Sequence, residues 1–246
     1  MIKKIKFKGI KFYNFFENDF QIFIKQKGLF LFPSGPGLSS LDKKSNYFKS
    51  LLSADYNFFD SGFFVILLFF LKKINVNKFS GYKFIKLYIN YLKKNKNLKI
   101  LSIDPSKKSS QLNKKLFQKI KLKKNRHTHY VAPIYNSKKL SDGSLLKKIN
   151  IIKPDHILIN LGGNTQEVLG LYIKKKINYK CNIFCTGAAI SFFTGEQAPI
   201  NDFIDRNYLG WLFRIIFKPY VFLPRYLKSI KLFFLVLTNK VIIINK

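Results

Sequence analysis

Acidic residues are scarce in this chain: 12 Asp and Glu stand against 45 Lys and Arg, a formal net charge of +33 over 246 residues. Such an excess points to an anionic partner, whether nucleic acid, a membrane surface or a phosphorylated substrate. The lysines accompany abundant Ile, Asn and Phe, all residues of AT-rich codons, so charge alone does not choose among these partners. Arginine is scarcer still. Arg126, Arg206, Arg214 and Arg225 are the whole set, and three of them fall between 206 and 225. The planar guanidinium fork suits phosphate in a way that Lys cannot copy; structural ion pairs and surface coincidence are the other readings of so small a set.

Cysteine is limited to Cys181 and Cys185. On a strand that spacing puts both side chains on one face, which predicts buried, reduced thiols of a cytosolic protein. C-x3-C without a second pair is not a zinc pattern. Long hydrophobic runs are missing: 62–71 and 232–237 are apolar but too short to span a bilayer. The N-terminus, interrupted by lysine, has no apolar core of a secretory signal. The expectation is a soluble or membrane-surface protein. There is no G-x-G-x-x-G, P-loop, D-x-D or Ser-His-Asp elbow, no internal repeat and no long linker.

What is present is a 47% apolar composition, enough for one large core with an appendage. Strands are predicted at 29–32, 54–59, 99–103, near Tyr130, at 156–161 and at 182–185. Helices are predicted at 38–52, 63–71, 82–92, 111–122, 142–152 and 165–175. The alternation indicates an α/β fold, a largely parallel, Rossmann-like sheet with helices on both faces. Acidic residues stop at Asp205, which divides the chain into a 1–205 core and a basic, helical, amphipathic appendage at 206–246. From Tyr208, the spacing of Leu209, Trp211, Leu212, Ile215 and Ile216 predicts a helix with one buried face. Arg214 and Lys218 lie on another face, and Pro219 ends or kinks the helix.

Ligands of such sheets sit beyond the carboxyl ends of the strands. Three junctions there carry polar residues: 33–37, 60–62 and 162–167. Asp60 ends an apolar strand, and an apolar setting would raise its proton affinity and suit a general base. It could equally cap the helix that follows. Gly162-Gly163-Asn164-Thr165-Gln166-Glu167 is a glycine turn entering a helix, a natural phosphate site. Asn164 and Glu167 also fit a capping box, which would leave Gln166 the freer polar group. His127 and His129 alternate on a strand but have no acidic or Cys partner nearby in sequence, so no metal site is expected.

Taken in order, these pieces resemble the WecG/TagA/CpsF glycosyltransferases. That family's pattern is a strand followed by G-x-G-x-P-x-Q-E, G-x-G-x-x-F-x-F-x-x-G, A-P, G-L-E-W-L-x-R-L and R-Y-L. The matching pieces are Leu161-Gly162-Gly163-Asn164-Thr165-Gln166-Glu167, the stretch Gly187-Ala188-Ala189-Ile190-Ser191-Phe192-Phe193-Thr194-Gly195, Ala198-Pro199, Leu209-Gly210-Trp211-Leu212-Phe213-Arg214 and Arg225-Tyr226-Leu227. Upstream, Ala54-Asp55 through Asp60-Ser61-Gly62 resembles the A-D…P-D-G element, and Lys78-Phe79-Ser80-Gly81 resembles R-x-x-G.

The resemblance implies an inverting, metal-independent transfer from a UDP-sugar, typically of N-acetylmannosamine. The acceptor it implies is a polyprenyl-diphosphate-linked sugar at the inner face of a bacterial membrane. No cofactor is implied. Asp60 falls on the family's base, and substrate-binding positions fall on Ser34, Ser61, Lys78, Gly162, Gly163, Gln166, Glu167 and Gly187. Arg214 and Arg225 fall on arginines directed to diphosphate and membrane. A homo-oligomer is compatible with the pattern. The chain departs from it at Ser34 (family Asn), Lys78 (family Arg), Lys83 (family Asp) and Ile103-Asp104-Pro105 (family Gly-Gly), and it lacks most arginines before Arg225. These departures mark a divergent branch. The alternatives are an inactive homologue acting as a scaffold in polysaccharide assembly, and a basic nucleic-acid-binding protein. The second is disfavoured because the aromatic residues sit in apolar runs and do not interleave with the lysines as stacking platforms.

Overall fold

Lysine and apolar residues alternate at period two from the first described residues, and this alternation builds the sheet's edge. The structure is a computed structural model describing residues 3–136 and 140–244; the outermost residues of the expected 1–205 and 206–246 segments lie outside it. β1 (Lys4–Phe7) and β2 (Ile10–Tyr13) form a hairpin whose two-residue turn, Lys8 and Gly9, has φ of 49° and 86°. That left-handed pair matches the twist of the flanking strands. Ile5, Phe7, Ile10 and Phe12 point inward while the lysines between them face solvent.

After a short helix α1 (Phe20–Phe23), β3 (Gly28–Leu31) enters the centre of the sheet, followed by α2 (Gly35–Ser39) and α3 (Asn46–Ser53). The helix predicted at 38–52 is thus two helices. Ser45 accepts the Phe48 amide and starts the second one afresh. Next come β4 (Tyr56–Phe58), α4 (Gly62–Lys72), α5 (Gly81–Lys94), β5 (Ile100–Asp104), α6 (Lys107–Lys119) and β6 (His127–Val131). The chain continues through α7 (Gly143–Ile152), β7 (His156–Ile159), α8 (Thr165–Lys176) and β8 (Asn182–Cys185). A short turn α9 (Ser191–Thr194), α10 (Asp202–Arg206), α11 (Gly210–Phe217), α12 (Pro219–Lys228) and α13 (Lys231–Thr238) lead to β9 (Val241–Ile244). Side-chain caps from Ser61, Ser80, Ser106, Asp142 and Asn201 fix where their helices begin.

The strands form one mixed sheet in the order β6-β5-β7-β8-β3-β4-β2-β1-β9. Pairing is parallel from β6 to β2, and only the last two pairings, β2 with β1 and β1 with β9, are antiparallel. Alternate strand residues feed two cores. Leu29, Leu31, Ile157, Ile159, Ile183 and Cys185 pack under α2, α3, α4, α7, α8 and α13. Phe30, Leu158 and Phe184 pack under α1, α5 and α6 on the opposite face. The expected α/β architecture with helices on both faces is what forms. Cys181 and Cys185 lie in the first core as free thiols, on one face as their spacing predicts.

The 206–246 segment is helical over most of its length, yet it is tied to the sheet. Leu232 and Val236 of α13 are fully buried in the first core, and β9 pairs with β1. The buried face predicted from Leu209 to Ile216 does not form. No residue of α11 is buried, Trp211 is 46% exposed and Ile216 is 69% exposed. Periodicity shows that a helix has an apolar face; among the described residues that face is covered only in part, with Leu209 and Ile215 half-buried and Trp211 meeting the Tyr226 ring. Among the described residues no helix is long and apolar enough to cross a membrane.

Candidate active site

The chain leaves neighbouring strands β3 and β8 toward opposite faces of the sheet. After β3 it turns to α2 in the first core, whereas Ala189 and Ile190, after β8, pack into the second. The divergence opens a crevice at the strands' carboxyl ends, where open α/β sheets place their ligands. A cavity of about 400 Å³ occupies it. Its polar lining includes Ser34, Asp60, Ser61, Lys78, Asp205 and Arg214, and its apolar wall includes Phe63, Ile66, Phe192, Trp211, Tyr226 and Ile230.

Asp60 lies two residues beyond the end of β4. The cap of α4 is Ser61, whose Oγ accepts the Phe64 amide at 3.2 Å, so Asp60 is not spent on capping. Its Oδ1 instead accepts the Gly81 N–H at 2.7 Å. Burial pushes its proton affinity up to about 6, against the pull of the Gly81 amide and the charges of Arg214 and Lys78, while the Asp205 charge pushes with burial. The result is a carboxylate available near neutral pH and more basic than an exposed one.

Lys78 and Ser80 belong to the loop that delivers Gly81. Lys78 Nζ bonds both the backbone carbonyl and Oδ1 of Asp205, the latter at 2.7 Å. Ser80 Oγ donates to Asp205 Oδ2 at 2.9 Å while accepting the Lys83 amide that starts α5. Beneath them Tyr208 takes a left-handed φ of 61°, and Lys78 Nζ stands 5.3 Å from its ring centroid. The same ring packs on Gly62 so closely that a Cβ there would sit 2.6 Å from Tyr208 Cδ1. The glycine of Asp60-Ser61-Gly62 is needed for this approach.

The glycine turn lies beside the crevice. Gly162 and Gly163 are exposed, and a Cβ on Gly163 would come 3.8 Å from Ser34 Oγ. Gln166 is not the free polar group that the sequence suggests. It is 3% exposed, accepts the Gly187 amide at 2.6 Å through Oε1, and donates to Glu167 Oε1 at 3.1 Å. It therefore joins the turn after β8 to the start of α8. Glu167 is 1% exposed and its Oε2 has no partner. Burial raises its proton affinity to about 7, opposed by the amides of Glu167 and Asn164 and by Gln166, with the Asp60 charge adding to the rise. The Tyr47 hydroxyl, also buried and unpartnered, is pushed well up by burial and by both carboxylates. Neither Gln166 nor Glu167 lines the cavity; they form its support.

Arg214 reaches the cavity from α11. Its guanidinium lies 4.9 Å from the Phe192 ring centroid, and its Nε has no hydrogen-bond partner. Arg225 is exposed, outside the lining, with its guanidinium 5.8 Å from the Phe222 ring centroid. The crevice thus brings together Ser34, Ser61, Asp60, Lys78 and Arg214. Gly163 and Gly187 border it, while Arg225 stands apart.

His127 and His129 pair with each other at 3.2 Å, and His129 Nδ1 meets Asp104 Oδ2 at 2.9 Å. Asp104 is fully buried, and Oδ1 also accepts from Ser102, Asn113 and Asn160. Among the described residues, no three His, Cys, Asp or Glu side chains are grouped to hold a metal ion.

Sequence reasoning missed Asp205 and Tyr208 as site residues. The signal for Asp205 was present: with only 12 acids in the chain, one placed among apolar residues at the head of the basic segment needs a partner. It served only as a boundary. Tyr208 gives no such sign, because a left-handed Tyr is not written in its neighbours.

Comparison with curated proteins gives no match. The Glycosyl transferase WecG/TagA/CpsF family profile matches residues 3–245. That match spans nearly the whole chain, so the chain belongs to the WecG/TagA/CpsF family, glycosyltransferases of cell-surface polysaccharide synthesis that use a nucleotide-sugar donor and a sugar acceptor.

Proposed function

We propose that this glycosyltransferase is inverting and metal-independent. It moves an N-acetylmannosamine-like sugar from a UDP donor to a polyprenyl-diphosphate-linked sugar at the inner face of the cytoplasmic membrane. The observation that carries the reading is Asp60: a carboxylate of raised proton affinity, oriented by the Gly81 amide, facing a cavity that also holds Arg214. Asp60 takes the proton of the acceptor hydroxyl as its oxygen forms the new bond to the anomeric carbon. The bond from that carbon to the donor diphosphate breaks, and its electron pair leaves on the diphosphate oxygen. Arg214, with Nε unpartnered, and the backbone of the exposed Gly162–Gly163 turn are the groups that meet that charge.

The mouth of the cavity supports the lipid-linked acceptor. Phe63, Ile66, Trp211 and Ile230 both line it and stay exposed, and Phe70, Ile216, Leu227 and Phe234 extend the apolar surface over α4 and α11 to α13. Lys218, Arg225, Lys228 and Lys231 are exposed in the same segment. Apolar surface with a basic surround suits an anionic bilayer interface.

The deciding experiment is a transfer screen with UDP-, GDP- and dTDP-sugars and a short polyprenyl-diphosphate sugar acceptor, run with the native enzyme and Asp60→Asn. Transfer from a UDP-sugar that Asp60→Asn abolishes, with the fold intact, is the expected result; near-native turnover by the variant eliminates the assignment. For the membrane, cutting after residue 205 would strip the β9 strand and the buried Leu232 and Val236, so surface changes are the cleaner probe. Ile216→Glu with Leu227→Glu should release the protein from anionic vesicles, and undiminished co-sedimentation would refute that role.

A further inference from the structure

Two carboxylates, Asp60 and Asp205, are held by one four-residue loop. At its end the Gly81 amide holds Asp60 Oδ1 at 2.7 Å. Two other groups of the same loop, Lys78 Nζ and Ser80 Oγ, take separate oxygens of Asp205 at 2.7 and 2.9 Å, and Lys78 also takes the Asp205 carbonyl. Asp205 is 8% exposed, sits in α10 and lines the same cavity as Asp60. This placement goes beyond ordinary surface pairing, because it decides what charge Asp60 faces. The groups acting on Asp60 are Lys78 and Asp205 across the loop, Arg214 from α11, and Glu167 with Tyr47 from the α8 and α3 side. Paired to Asp205, the Lys78 ammonium is held as half of a nearly neutral pair. Unpaired, it would be a full positive charge beside Asp60.

We propose that Asp205 is a positioning residue for Asp60: it fixes the 78–81 loop so that the Gly81 amide orients the carboxylate, and it holds the Lys78 charge away from neutralising it. The proposal rests on Asp60 being the base of the transfer reaction, and the two can fail separately. Tyr208 serves the same arrangement from below, its ring supporting Lys78 on one side and meeting Gly62 on the other.

The test follows the Asp60 carboxyl by carbon-13 NMR in the full-length protein labelled at aspartate Cγ, the signal assigned by its loss in Asp60→Asn. In Asp205→Asn, which keeps the side chain's shape, the Asp60 titration midpoint should fall by about one pH unit, the effect of one uncompensated cation nearby. Asp205→Glu should restore most of the native midpoint. Lys78→Met, which leaves the Asp205 charge uncompensated, should raise the midpoint and gives the answer should Asp205→Asn fail to fold. A native midpoint in a folded Asp205→Asn or in Lys78→Met overturns the proposal. The acid limb of the transfer rate should move with the NMR midpoint. If Asp60→Asn retains transfer, the base assignment fails while the NMR result still decides the role of Asp205.

Discussion

Replacing Glu167 by Gln should stabilise the protein above neutral pH and lose that advantage in acid. Glu167 is 1% exposed, and its proton affinity rises from an ordinary 4.5 to about 7, chiefly through burial. A carboxyl whose folded value lies above its unfolded one binds its proton more tightly in the native state. Its contribution is therefore fully present below about 4.5 and is lost as pH rises through about 7. At about 1.4 kcal/mol per pH unit, the ionised group costs the fold about 3 kcal/mol at pH 8 relative to pH 4. Gln fills the same volume and keeps an acceptor for the Gln166 amide, now held at 3.1 Å. It stands in for the protonated carboxyl, and the amides that favour the charged form are already reflected in the value of about 7. Urea unfolding of both proteins at pH 5 and pH 8, repeated in an Asp60→Asn background to remove the carboxyl whose charge acts on Glu167, isolates the effect. The variant should match the native protein to within about 1 kcal/mol at pH 5 and be about 3 kcal/mol stronger at pH 8. Parallel stability curves across that range would refute the view that Glu167 is held as a buried, strained carboxylate.

Three further outcomes follow from the site. Gly62→Ala places a Cβ 2.6 Å from Tyr208 Cδ1, so it should destabilise by about 1–3 kcal/mol in thermal unfolding and lower transfer, whereas Ala at exposed Gly143, which meets nothing within 4 Å, should be near neutral. Asp104→Ala leaves Ser102, Asn113, Asn160 and His129 without their shared buried acceptor and should cost about 3 kcal/mol or more by urea unfolding; a loss below about 1 kcal/mol would mean that those groups find other partners. The transfer rate should climb with pH through about 6 as Asp60 loses its proton, and a flat rate between pH 5 and 7 would count against Asp60 as the base.

Much of the fold was legible because the buried parallel strands are short apolar runs bounded by Gly, Pro and Asp. β3, β5, β7 and β8 are of this kind, each with both faces covered. The β1–β2 hairpin was not predicted: the alternation of Lys4, Ile5, Lys6 and Phe7 with Ile10, Lys11 and Phe12 carries its signal, but that stretch reads first as a lysine-broken N-terminus. β9, Val-Ile-Ile-Ile, carries no sign of its antiparallel partner at the other end of the chain. At the site, the place of Asp60 at the carboxyl end of a strand was readable from the sequence. Its freedom from capping was not, because Asp60 and Ser61 are both good caps and only the backbone decides between them. The locking of Lys78 and Ser80 by Asp205 joins residues more than 120 apart, and no local pattern encodes it. The exposed face of α11 shows the opposite limit: apolar spacing marks a surface that seeks burial, and the partner supplying it can lie outside the chain.

The pairing of β9 with β1 sets an order of events during synthesis. β1 is made more than 230 residues before β9 is complete, so its outer edge stays open until the chain has been extended to Ile244. Throughout that interval the nascent protein displays a row of unsatisfied backbone groups, the kind of edge on which chains aggregate. The alternating lysines of β1 fall where a guard against such mispairing is needed. Shortening the chain before Val241 would make that transient exposure permanent.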